Sequence, residues 1–144
     1  MTPSPQGLAL VAQFEGFRPN AYLCPAGVPT IGYGFTEGVK LGDTMTQKAA
    51  TARLLVELTH FAGSVYAFCS ASVTQSQLDA MTSLAYNIGL TAFARSSVLR
   101  MHNIGAAEAC GRAFSLWTKV DGQVLRGLTT RRTKEAALYL STEK

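Results

Sequence analysis

Apolar residues recur at helical spacing along most of the chain, with one exception near its start. Leu8, Val11, Ala12 and Phe14 form a stripe behind Ser4 and Pro5, which suit an N-cap and a first helical turn. Gly16 and Pro19 close that segment and leave Glu15 on its last turn. From Thr44 or Thr46 a second stripe, Ala49, Ala52, Leu55 and Val56, predicts a long helix that Gly63 interrupts or bends. Thr74 followed by Gln77 forms a capping box. Leu78, Met81, Leu84 and Ala85 behind it mark the core helix, which ends at Asn87, Ile88 and Gly89. Further helices are predicted over 93–101 and 107–117, and a last one after Thr129 or Thr130. On that last helix Ala136, Ala137, Leu138 and Leu140 supply apolar surface, and Arg131, Arg132, Lys134 and Glu135 a charged outer face. Glu135 lies four residues beyond Arg131, a surface pair worth about 0.2–0.5 kcal/mol.

The exception is the segment 17–36. Its residues 21–23 and 30–33 read as two short strands around Pro25, Ala26 and Gly27. Pro25 and Pro29 cannot donate to a ladder, so the sheet is small and irregular. Gly32 and Gly34 flank Tyr33 and permit close approach of backbone or ligand. Tyr22, Tyr33 and Phe35 either pack this lobe or line a sugar site. The segment 119–127 reads as a loop or a tiny hairpin, with Asp121-Gly122 as the turn signal. A polar-bearing hairpin beside a helical mass predicts an α+β fold of two lobes with a cleft between them. One domain over 1–144 is expected: a small lobe over about 15–45, a connecting helix over about 46–62, and a helical lobe over about 63–144 together with the N-terminal helix.

Composition narrows the function. The longest apolar run near the start, 8–12, is far shorter than a membrane span, and no basic residue precedes it as in a signal peptide. Three widely spaced cysteines, Cys24, Cys69 and Cys110, argue against a disulfide scaffold. His60 and His102 stand apart, so neither a metal nor another cofactor is expected. The GYGF run lacks the lysine-serine pair of a phosphate loop. The formal net charge of +4 lies in the second half: four basic residues balance four acidic ones up to Ser72, and nine face five beyond it. That excess attracts nucleic acid, anionic membrane or an acidic wall polymer, or only keeps the protein soluble. RRTK is too short a patch, with no aromatic platform, for a nucleic-acid binder.

The candidate chemistry lies in 14–36. At a helix C-terminus Glu15 gains nothing from the dipole, and in partly apolar surroundings it holds its proton, as a general acid needs. A solvated surface glutamate is the other reading of the helix alone. Cys24 and Thr30 come from facing strands; a threonine hydroxyl holds a water, and a cysteine is a nucleophile, a base if deprotonated, or a filler. Glu15, Cys24 and Thr30 are expected to meet in the cleft.

The stretch FEGFRPNAYLCPAGVPTIGYGFT resembles the catalytic signature of phage-type lysozymes, the endolysins that cut bacterial peptidoglycan. The family pattern is a glutamate, eight residues, an aspartate or sometimes a cysteine, five residues, then a threonine; Glu15, Cys24 and Thr30 stand at those spacings. The resemblance continues in MTSLAYNIG, AFSLW and GLTTRRTKEAALY and covers nearly the whole chain. It implies a small sheet-bearing lobe, a connecting helix and a larger helical lobe. It implies a muramidase, cleaving between N-acetylmuramic acid and N-acetylglucosamine with inversion. Glu15 would be the general acid, Thr30 the holder of the attacking water, and Cys24 the occupant of the second carboxylate's place. An ordinary thiol, with a pKa of about 8.5, is mostly protonated at neutral pH. A nearby Glu15 anion would raise that value, and Arg18 would offset the rise if it reaches.

The resemblance further implies synthesis in the host cytoplasm and action on the wall after a separate, holin-like protein permeabilises the membrane. A monomer, with weak electrostatic contact to the anionic envelope, is expected. The alternatives are a lytic transglycosylase, a peptidoglycan-binding module without turnover, and a membrane-active basic protein.

Overall fold

Ser4 starts the first helix and also ties it down. In a computed structural model, described here over residues 1–141, its hydroxyl accepts from the Gly7 amide at 3.2 Å and donates to Asp79, whose carboxylate also takes the Ser4 amide at 3.0 Å. The helix that follows, α1 (Pro5–Glu15), ends at Gly16. Gly7 carries no side chain because a Cβ there would lie 2.6 Å from Asp79 Cγ.

β1 (Arg18–Leu23) and β2 (Pro29–Gly32) form the antiparallel hairpin, with Tyr22 opposite Thr30 and Leu23 opposite Pro29. The Gly27 amide bonds the Cys24 carbonyl at 2.7 Å, the Cys24 amide bonds the Val28 carbonyl at 3.0 Å, and Gly27 takes φ +80°. This is a three-residue loop with a left-handed glycine. The outer edge of β1 is covered by 43–45: Ala21 donates to Asp43 and Met45 to Pro19. Tyr33 and Phe35 are buried and pack the small lobe, while the Tyr22 ring carries the Arg18 guanidinium 4.0 Å above it.

Thr46 caps α2 (Gln47–Phe68) by accepting from the Ala49 amide. The helix is not interrupted at Gly63. Its buried stripe is Ala50, Leu54, Leu58, Ala62 and Val65 rather than the expected Ala49, Ala52, Leu55 and Val56, which are exposed; it continues past Gly63, where packing outweighs a glycine cost of about 1 kcal/mol. Ala50, Leu54 and Leu58 belong to a core shared with Val11, Ile31, Tyr33 and Phe35. Ala62 and Val65 belong to a second core with Leu84, Phe93 and Phe114. One helix therefore joins two cores.

The capping box at Thr74 and Gln77 is formed in full and opens α3 (Gln75–Ile88), which is buried on nearly all sides from Ser76 to Ala85. The predicted helix over 93–101 is instead two, α4 (Leu90–Ala94) and α5 (Ser97–Asn103). Ser96 makes the break: its hydroxyl donates to the Phe93 carbonyl and accepts from the Leu99 amide. α6 (Ala107–Ala113) runs into a 3₁₀ turn, Phe114–Leu116. The Asp121-Gly122 hairpin forms between β3 (Lys119–Val120) and β4 (Gln123–Val124), with φ +51° and +79° at its two central residues. α7 (Arg126–Leu140) begins before the expected threonines, whose hydroxyls donate back to the Leu125 and Arg126 carbonyls.

This is the lysozyme-like α+β arrangement: a small hairpin linked by one long helix to a larger, mostly helical lobe. The charged outer face expected on α7 is overturned. Arg131, Arg132 and Glu135 are buried, and Leu140 is exposed. The three charges go inside because they satisfy one another and reach partners on α1 and α3. Of the basic residues of α7, Arg126 and Lys134 remain at the surface while Arg131 and Arg132 do not, and no helix among the described residues is long and apolar enough to cross a membrane.

Candidate active site

Glu15 ends α1 because Gly16, at φ +73°, turns the chain into the hairpin. Its Oε2 accepts from Arg131 Nη1 of α7 at 2.7 Å. Its Oε1 faces the β2 turn, where a Cβ on Gly34 would stand 3.7 Å away. Gly34 has φ +95°, so a side chain there is strained whatever the space. The carboxylate thus has one oxygen held and the other directed at the small lobe.

A pocket of about 350 Å³ opens on this carboxylate, lined by Phe14, Glu15, Asn87, Leu125, Gly127, Leu128 and Arg131. Asn87, from the last turn of α3, lines it. Leu125 and Leu128 enter it from the start of α7, just beyond the β3–β4 hairpin. A larger groove of about 470 Å³ runs along α1 and α7 between Ala9, Leu10, Ala137 and Leu138. It carries no carboxylate or thiol, and Lys134 is its titratable lining group.

Cys24 and Thr30 are brought together across the first hairpin. Cys24 is half-buried, and the Val28 and Ala26 amides direct their N–H groups at its sulfur, which holds the thiol below its ordinary value. The Thr30 hydroxyl reaches the sulfur too, and otherwise donates to the Val28 carbonyl at 2.9 Å. Its single proton serves one of these at a time, which leaves lone pairs for a water. The expected influences of Glu15 and Arg18 on Cys24 are not the ones found. Backbone amides do the work, and Arg18 is stacked on Tyr22. Among the described residues, Glu15 makes its hydrogen bond to Arg131 and makes none to Cys24 or Thr30.

Arg131 is the residue that sequence reasoning missed. It is 3% exposed, and its fork is filled: Nη1 on Glu15, Nε on Glu135 Oε2 at 3.2 Å, and Nη2 on the Ser83 carbonyl at 3.3 Å. Arg132 Nε lies 2.7 Å from Glu135 Oε1, an ion-pair contact off the hydrogen-bond angle, while its Nη2 donates to Oε2 at 3.1 Å. The Ser83 hydroxyl donates to Glu135 as well. Burial pushes the Glu135 carboxyl up and the Arg132 guanidinium down; the two arginines oppose the first shift and Glu135 the second. The only sequence signal for this network was a pair of arginines with a glutamate one turn on.

The family model of phage lysozyme matches residues 12–135, which take in Glu15, the hairpin and the Arg131–Glu135 segment. The chain belongs to the phage lysozyme family. The enzyme is 39% identical over 142 residues to the endolysin of Acyrthosiphon pisum secondary endosymbiont phage 1, covering 96% of this chain and 97% of that one. It is 38% identical to the endolysin of Bacillus phage PZA, of which it spans 56%. Among solved structures, the muramidase domain of SpmX from Asticaccaulis excentricus superposes with a TM-score of 0.90 at 36% identity, over 96% of this chain and 97% of that one. Membership makes the protein a glycoside hydrolase, a muramidase acting on bacterial peptidoglycan. Among the described residues no three His, Cys, Asp or Glu side chains are grouped to hold a metal ion.

Proposed function

We propose that the enzyme hydrolyses the β-1,4 bond between N-acetylmuramic acid and N-acetylglucosamine with inversion, and that Glu15 is its general acid. The observation that carries this reading is the divided carboxylate. Arg131 occupies Oε2, so the transferable proton sits on Oε1, on the side of the small lobe. That proton passes to the glycosidic oxygen as the bond from the sugar C1 to that oxygen breaks. Water attacks C1 from the opposite face, as inversion requires. Thr30 holds this water through its lone pairs, and the Cys24 thiolate takes its proton. By the resemblance to phage-type lysozymes the thiolate takes the second carboxylate's place, and the Val28 and Ala26 amides stabilise it.

The deciding experiment treats purified, membrane-free peptidoglycan and identifies the released ends by mass and sugar type. Reducing N-acetylmuramic acid ends are the expected product. Anhydro ends would move the assignment to a lytic transglycosylase, and no released ends would leave a wall-binding module. Cys24 has a test of its own. A lowered thiol value means that thiolate, and with it activity, is present at lower pH than an ordinary cysteine allows. Cys24→Asp is expected to carry the acid-side limb of the pH profile lower still. Cys24→Ser is expected to lose about 10²–10³-fold in kcat. Full activity of the serine variant across the pH range would remove the base role.

In the cell, this reading has the enzyme made in the host cytoplasm as a monomer and released to the wall by a separate holin-like protein. The basic second half adds a weak, salt-screened attraction to the anionic envelope.

A further inference from the structure

A general acid must hold a proton, yet Glu15 has a guanidinium 2.7 Å away. An opposite charge that close favours the ionised carboxylate. The conflict is met one residue further in. Glu135 is fully buried and faces the same guanidinium from the other side, with Nε at 3.2 Å, and it pairs with Arg132 at 2.7 Å. Four charges thus run in line across α1 and α7: Glu15, Arg131, Glu135, Arg132. The sum is zero when Glu15 is ionised and +1 when it carries its proton. Without the Glu135 charge these become +1 and +2, and loss of the proton is favoured more strongly.

We propose that Glu135 is a positioning residue for the general acid: it fills one side of the Arg131 fork and offsets its charge, so that Arg131 orients Glu15 without locking it as an anion. This rests on the reading of Glu15 as the acid. Glu135 touches neither substrate nor reacting atoms; it acts through Arg131. Ser83 of α3 anchors both Glu135 and the Nη2 corner of the fork, which fixes the geometry from a second element. Among the described residues Tyr86 of α3 also faces Glu15 and Arg131, and its hydroxyl donates to Glu57 of α2 at 3.3 Å, while Lys134 of α7 shares the Phe14 ring with Arg131. Burial and the Glu57 charge push that phenol up, so it stays neutral throughout the working range and does not substitute for Glu135.

The test compares wild type with Glu135→Gln, which keeps the shape and removes the charge. The alkaline limb of the kcat/KM profile, where the general acid loses its proton, is expected to move to lower pH by about one unit, a tenfold fall in proton affinity. The acid-side limb and KM are expected to stay within twofold of wild type. A merely structural role lowers activity without moving one limb. The same shift is expected in the ¹³C titration of the Glu15 carboxyl, which reads the coupling whether or not Glu15 is catalytic. Glu135→Asp keeps the charge and is expected to restore most of the limb position. An unmoved Glu15 titration in folded Glu135→Gln overturns the proposal. If Glu15→Gln remains active while that titration does move, the acid assignment fails and the coupling stands. Should Glu135→Gln not fold, Glu135→Asp decides: its retracted carboxylate is expected to shift the Glu15 titration slightly downward, and no shift overturns the proposal.

Discussion

Glu15→Gln is expected to lower kcat for reducing-end release by about 10²–10⁴-fold, the range that a lost general acid costs. Glutamine keeps an oxygen for Arg131 Nη1, so the 2.7 Å contact and the docking of α1 on α7 survive. The protein is therefore expected to melt close to wild type and to sediment with intact peptidoglycan as wild type does. What it lacks is the proton on Oε1. Turnover within tenfold of wild type would assign the acid elsewhere. The natural place to look would then be Glu57, which already accepts from Tyr86 beside the site.

The second large effect is on stability. Arg132 is 1% exposed and pairs with a carboxylate that is 0% exposed. Arg132→Ala leaves Glu135 with one guanidinium instead of two and opens a void the length of an arginine stem. Breaking a buried pair on one side costs about 3–5 kcal/mol, which for a chain of this size lowers Tm by roughly 10–20 °C. Thermal unfolding followed by circular dichroism measures it. A cost below about 1 kcal/mol would mean the pair behaves as an exposed one. Replacing Arg132 and Glu135 together by Met and Leu is expected to recover much of the loss, because no charge is then left buried alone.

The gap between those energies and the 0.2–0.5 kcal/mol expected of the same helix from its sequence shows where sequence reasoning ends. Local signals were legible. Ser4, Thr46 and the Thr74–Gln77 box cap their helices, Gly89 stops one, and Asp121-Gly122 turns a hairpin. In each case the partner lies within four residues, so the chemistry is written in one place. The hairpin with Cys24 and Thr30 was legible for the same reason, and the family resemblance added the spacing to Glu15. Burial of α7 was not legible. Periodicity assigns charged positions to solvent, and Arg131, Arg132 and Glu135 break that rule only because their partners are each other, Ser83 and Glu15. The same limit hid Asp79, which holds the N-terminus from 75 positions away. It hid the break at Ser96 less well: a serine pair before Val98 and Leu99 is a local cap signal, inside the span predicted as one helix.

The bond between Glu15 and Arg131 spans 116 positions of chain. At translation rates of about 5–20 residues per second, the carboxylate leaves the decoding centre roughly 6–23 s before its guanidinium exists. α1 waits for α7. A message cut short before α7, or a ribosome stalled there, yields a chain with its signature stretch intact and Glu15 without its guanidinium. The contact that orients the carboxylate is open only to a polypeptide translated through Arg131.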